Sequence, residues 1–172
     1  MVAYYYDSNA ILVEPLQNHK AQSLVTAWET LHNKIAKAGT EHNTWVKDNE
    51  CSAELKLAFK YRKVAFLLVP PHSHRRNLAE RAIQTFKNHF VAGLASVDPD
   101  FPLGEWDRLL KQAEITINML RGARVNPKLS AYAYLFGQLN YNATPMAPPR
   151  TRVVAHANPS TRSSWDPHGQ DG

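Results

Sequence analysis

Cysteine is nearly absent: the 172 residues contain one, Cys51. A single thiol excludes an internal disulfide framework and any zinc site drawing two or more cysteines from this chain. It also points to a reducing compartment. Long apolar runs are missing too, none approaching the roughly 18 residues of a membrane helix. The opening Met1–Asp7 has neither the basic start nor the apolar stretch of a signal peptide. The chain is therefore expected to be neither secreted nor membrane-spanning. No G-x-x-x-x-G-K-[ST] loop occurs, so ATP or GTP chemistry is unsupported. No G-x-S-x-G turn occurs either, and the scattered serines make no case for a Ser-His-Asp hydrolase.

What is present is the composition of a soluble globular chain, 44% hydrophobic, 20% charged and 10% aromatic, in a length that suits one core. The net charge is +5 and the isoelectric point about 9.4. Its placement is uneven. Residues 1–120 hold 14 basic and 13 acidic side chains, whereas residues 121–172 set Arg121, Arg124, Lys128, Arg150, Arg152 and Arg162 against Asp166 and Asp171. A basic last third beside a neutral body suits a polyanion such as nucleic acid, or equally a solvated tail. Five of the eleven prolines fall in the final 28 residues, without apolar periodicity. Segment 143–172 is therefore read as an extended or disordered tail.

In the body, Val2–Tyr6 and Ala10–Leu16 read as short strands around the turn-prone Asp7-Ser8-Asn9. Ala21, Leu24, Val25, Trp28, Leu31 and Ile35 recur at helical spacing until Gly39. Thr44–Lys47 reads as a strand ending at Asp48, and Ser52–Arg62 as a helix with Leu55, Ala58 and Phe59 on one face. Val64–Val69 is a continuous apolar run, which predicts a strand buried on both faces. A helix from Asn77 should turn Ala79, Ile83, Phe86, Phe90 and Leu94 inward. Another should carry Trp106, Leu109, Leu110, Ala113, Ile117 and Leu120 on its stripe, and a short one spans Ser130–Phe136. The alternation predicts an α/β fold, a mixed sheet with helices on both faces.

Two carboxylates sit at informative places. Asp48 ends a strand, and Glu80 lies in the first turn of a helix 32 positions later. Ligands gather at the carboxyl ends of strands in open α/β sheets. Paired carboxylates there can hold hard cations such as magnesium, which stabilise the oxygens of a phosphoryl displacement. The structural alternative is equally concrete: Asn77-Leu78-Ala79-Glu80 has capping-box spacing, and Asp48 can close a turn. His72, His74 and Cys51 suggest a metal only weakly, since no H-x-x-x-H or CxxC frame accompanies them. The basic run through His74, Arg75, Arg76 and Asn77, with Arg81 and Lys87 beyond, leads into a helix N-terminus and can hold a nucleic-acid backbone; a solvated loop is the alternative.

At Asp48-Asn49-Glu50, and above all along Pro70–Lys87 with its Asn77-Leu78-Ala79-Glu80-Arg81 element, the chain resembles the integrase catalytic core of copia-type retrotransposons. The likeness continues through Phe101–Leu110, Ile117–Arg121, Asn126–Tyr132 and Pro148–Val153, and upstream through Asp7–Lys20. The resemblance implies an RNase H-like fold and a two-metal Asp-Asp-Glu site that cuts and joins DNA. Asp48 then matches the second carboxylate and Glu80 the third, with Mg²⁺ or Mn²⁺ as cofactor. His74, Arg75, Arg76, Asn77 and Lys87 are the candidate nucleic-acid contacts. Glu50 and Asn77 stand where the family has glycine. The family's first Asp lies on a first strand that this chain does not show, so Met1 falls at the second strand; Asp7 is the one early residue weighed as its substitute.

On this reading residues 1–142 are a partial integrase core and 143–172 a Pro-rich basic tail. The first strand is central in the family's sheet, so its absence must either pair Val2–Tyr6 directly with Thr44–Lys47 or leave two open edges. The chain reads as a fragment whose partners are element ends and target DNA, or RNA, with self-association at the open edges and a nuclear setting. A non-catalytic nucleic-acid-binding module, or an inactive element remnant, is the alternative.

Overall fold

The computed structural model describes residues 1–39, 44–48, 51–69, 78–97 and 101–148, and in the tail 151, 154–156, 160, 163 and 169–171. The chain opens with a hairpin of β1 (Val2–Tyr5) and β2 (Ala10–Val13), antiparallel with Val2 opposite Val13 and Tyr4 opposite Ile11. Its turn closes because Asn9 accepts a left-handed conformation (φ 59°) and donates its N–H to the Tyr6 carbonyl. The buried Ser8 hydroxyl takes the Ala10 N–H.

Helix α1 (Ala21–Lys37) follows, then β3 (Thr44–Asp48), α2 (Ala53–Tyr61) and β4 (Ala65–Val69). The Ser52 side chain caps α2 by accepting from Leu55 N–H. β3 and β4 run parallel, with Val46 opposite Leu67 and Asp48 opposite Val69. Helix α3 (Leu78–Ala95), a 3-10 segment Leu103–Leu109, α4 (Leu110–Met119) and α5 (Ala131–Phe136) complete the body. Ser130 caps α5, and Gly137 ends it at a positive φ of 78°. In the tail, read as extended or disordered, β5 (Val154–His156) pairs with β6 (Gly169–Asp171).

The hairpin is sandwiched. Alternation sends Ala3, Ala10 and Leu12 against Leu31 and Ile35 of α1 and Ala131 and Leu135 of α5. Ile11 and Val13 go to the other side, against Ala82 and Phe86 of α3 and Leu110 and Ile117 of α4. The second pair of strands builds on Trp28, Leu55, Phe59 and Val64, with Trp45 and Phe66 packed against them. Phe59 meets Trp28 edge-on at 4.7 Å and stacks on Phe66 at 5.3 Å.

The mixed α/β class is therefore as expected, but several details are corrected. The strands form separate two-stranded sheets, not one. Among the described residues β1 does not pair with β3, and Met1 and Trp45 are packed against the clusters of both pairs of strands. β4 is not buried on both faces: Leu67 is 61% exposed, and its partner Val46 is exposed too, because α1 and α2 cover only the Trp45–Phe66 side. On α3 the inward stripe runs through Ala82 and Phe86, which turns Ile83 outward. Trp106 and Leu120 are exposed as well, since the 3-10 segment and the helix end at Met119 break the periodicity that aligned them.

Candidate functional site

β3 ends at Asp48 and β4 at Val69, so the carboxyl ends of a parallel pair stand side by side. Glu80 is the third residue of α3, exposed, in the turn where the helix dipole favours a negative charge. Lys87 lies seven positions on, about two helical turns, and so on the same solvent face of α3 as Glu80. Asp48 thus stands at a strand end and Glu80 at a helix start. His74, Arg75, Arg76 and Asn77 lie outside the described residues, as do Asn49, Glu50, His72 and the capping-box Asn77 backbone. Cys51 is half-buried against the Trp28 cluster. Among the described residues no group of three His, Cys, Asp or Glu could hold a metal ion.

Asp7 sits at the tip of the β1–β2 hairpin, where its carbonyl accepts from the N–H groups of Arg124 and Val125. It belongs to a cluster the sequence does not reveal. Arg121 donates from Nε to the Asn9 carbonyl (2.8 Å) and from Nη2 to Asn9 Oδ1, while Asn9 Nδ2 returns a bond to the Gly122 carbonyl. Arg124 donates from Nε to the Tyr4 hydroxyl (2.9 Å), and that hydroxyl donates to Asn9 Oδ1. The Arg124 guanidinium lies over the Tyr6 ring, 4.6 Å from its centroid. Its bond to Tyr4 raises its already high pKa further.

A second cluster closes the outer edge of β2. Ile11 and Val13 turn their N–H and C=O away from β1, and side chains meet all four groups. Asn118 takes both from Ile11, Glu114 Oε2 accepts from Val13 N–H at 2.7 Å, and Lys34 Nζ donates to the Val13 carbonyl at 3.1 Å. Lys34 also pairs with Glu14 (3.3 Å) and Glu114 (3.4 Å). Burial pushes the Glu114 carboxyl above the ordinary carboxylate range, against the opposing pull of Lys34 and the Val13 N–H. The register pairs Asn118 with a residue 107 positions away, so nothing local in the sequence marks either cluster; the basic surplus after residue 120 was the one pointer to Arg121 and Arg124.

No protein-family model matches the sequence, and none of the curated proteins matches it. Solved structures do. The chain is similar to the catalytic core domain of BIV integrase, with a TM-score of 0.58 and 16% identity over 78% of this chain and 82% of that one. It is also similar to a chain of the simian T-cell lymphotropic virus intasome in complex with the PP2A regulatory subunit B56 gamma, with a TM-score of 0.61 and 17% identity over 91% of this chain. It spans 53% of that intasome chain. The fold is that of retroviral integrase catalytic cores.

Proposed function

We propose that the chain is the integrase core of a copia-type element that grips nucleic acid, DNA above all, at the carboxyl end of β3 and the start of α3. What supports this reading is the place of Asp48 at the end of a parallel strand and of Glu80 in the first turn of α3, within an integrase-core fold. The copia assignment rests on the Asp48–Glu50 and Pro70–Lys87 motifs, and it brings a nuclear setting with it. The viral neighbour belongs to an intasome, and this chain is expected to assemble on DNA in a complex of that kind.

The donors fit a hard divalent cation in kind, both being carboxylates. Two carboxylates are fewer than the three of the two-metal site that the resemblance implies. Asp48 and Glu80 would hold one Mg²⁺ or Mn²⁺ weakly, and strand transfer is not expected of them alone. The second reading is a nucleic-acid-binding module without catalysis.

The test pairs calorimetry with duplex binding. Mn²⁺ should bind the chain and bind the Glu80→Gln variant more weakly; equal binding would assign Glu80 to the helix start alone. A labelled DNA duplex should bind with an affinity that falls steeply with salt and be weakened by Lys87→Glu. Absence of salt-dependent duplex binding would overturn the proposal.

A further inference from the structure

The hairpin tip and the segment after α4 are locked into one rigid surface, and its chemistry has no structural outlet. The Asn9 and Asp7 bonds to Arg121, Gly122, Arg124 and Val125 already hold the two segments together. Tyr6 adds little to that clamp, being 56% exposed, yet its ring carries the Arg124 guanidinium on one face. The terminal nitrogens of Arg124 donate to nothing among the described residues, although Nε is spoken for by Tyr4. Lys128 stands exposed on the same short loop, which the Gly122–Ser130 bridge closes. Asp7 is the acidic residue of the turn, and Arg121, Arg124 and Lys128 leave a positive balance around it.

We infer that Tyr6 and Arg124 form a stacking platform for an unpaired base of a single-stranded nucleic acid, with Arg121 and Lys128 beside it for the flanking phosphates. A planar cation fixed over an aromatic ring offers a flat π surface together with unused N–H donors. A base in a duplex is already stacked on both sides, so only an unpaired one has a face to give. Preorganisation matters here: the hydrogen bonds to Tyr4 and Asp7 hold Arg124 in place before any ligand arrives, which removes part of the ordering cost of binding. The platform extends the nucleic-acid reading proposed above to a surface built from the hairpin tip, apart from Asp48 and Glu80 in the sequence and in the elements that carry it.

An abasic oligomer separates stacking from charge, because it keeps the phosphates and loses the bases. Fluorescence anisotropy should show oligothymidylate binding roughly tenfold more tightly than an abasic oligomer of equal length. Tyr6→Ala and Arg124→Lys should erase that preference, and Tyr6→Phe should keep it. The exposure of Tyr6 makes its loss harmless to folding, which thermal melting checks. Preference for bases retained in Tyr6→Ala, or no preference in the wild type, would overturn the platform. So would single-strand affinity no greater than for a duplex, or equal affinity for an acidic peptide. Those outcomes leave the proposed function standing if duplex binding still responds to Lys87→Glu.

Discussion

Asn118 grips the backbone of Ile11 with both ends of its amide, Oδ1 accepting from the Ile11 N–H at 2.8 Å and Nδ2 donating to the Ile11 carbonyl at 2.7 Å. The residue is fully buried, so water offers neither group an alternative. Together with Glu114 and Lys34 on Val13, it closes the outer edge of the hairpin by side chains alone. An unpaired strand edge is a template for association, and this fold blunts one such edge with care.

Replacing Asn118 by Leu should therefore cost far more than its size suggests. Two buried backbone groups lose their partners, each at about 1–3 kcal/mol. The urea midpoint should fall accordingly, with the slope unchanged. A variant within about 0.5 kcal/mol of wild type would show that the edge is satisfied some other way.

Glu114 gives a pH signature of unusual sign. Its pKa is raised in the folded protein, so the native state holds that proton to higher pH than the unfolded chain. Its contribution to stability is greatest below the unfolded pKa and is lost as pH rises through the folded one. Glu114→Gln keeps an acceptor for Val13 N–H and removes the titration. The stability of wild type relative to this variant should decline as the pH is raised from the ordinary carboxylate range upward. A constant difference across that range would contradict the assignment. Glu114→Leu, which leaves the Val13 N–H bare, should cost about 1–3 kcal/mol at any pH.

The periodic elements were legible before the fold was seen. The helices read from Ser52 and Ser130 begin there, with those serines as caps rather than first helical residues, and Asp7-Ser8-Asn9 makes the turn. Burial was less legible. Val64–Val69 reads as a doubly buried strand because its composition is apolar throughout, but composition does not say whether a helix covers each face, and Leu67 meets none. Ile83 misled for a similar reason: Ala82 and Phe86 define a stripe next to the one its spacing suggested. Asp48 and Glu80 were singled out through motif and element boundary. The clamps of Arg121 on Asn9 and of Asn118 on Ile11 join residues over 100 positions apart, beyond any local pattern.

The basic run before α3 should act through the phosphates. Replacing Arg75 and Arg76 together by Ala should flatten the dependence of log affinity on log salt for duplex DNA. The slope should change by about 0.9 for each phosphate no longer neutralised. Base preference on single strands should survive, since Tyr6 and Arg124 are untouched. An unchanged slope would remove the run from the interface.

The inner edges carry the last prediction. Because Ile11 and Val13 direct their backbone groups outward, antiparallel alternation turns those of their partners Val2 and Tyr4 to the opposite edge of β1. No strand pairs with that edge, nor with the free edge of β3, among the described residues. The copia-type resemblance sets an Asp-bearing first strand between these two positions. A form carrying one such strand ahead of Met1 should pair with β1 and β3, join the half-sheets and cover Val2, Tyr4 and Trp45. Its melting temperature should rise by about 2–4 °C for each kcal/mol gained. It should also self-associate less than the 172-residue chain, since the added strand would cover edges that no strand pairs with among the described residues. With Mn²⁺ present, joining of a labelled DNA end should be stronger in the extended form if the added Asp joins Asp48 and Glu80 at one site. Light scattering, thermal melting and the joining assay on both forms decide the matter. Robust joining by the 172-residue chain alone would defeat this account and turn attention to Asp7, despite its place beside Arg124 at the hairpin tip.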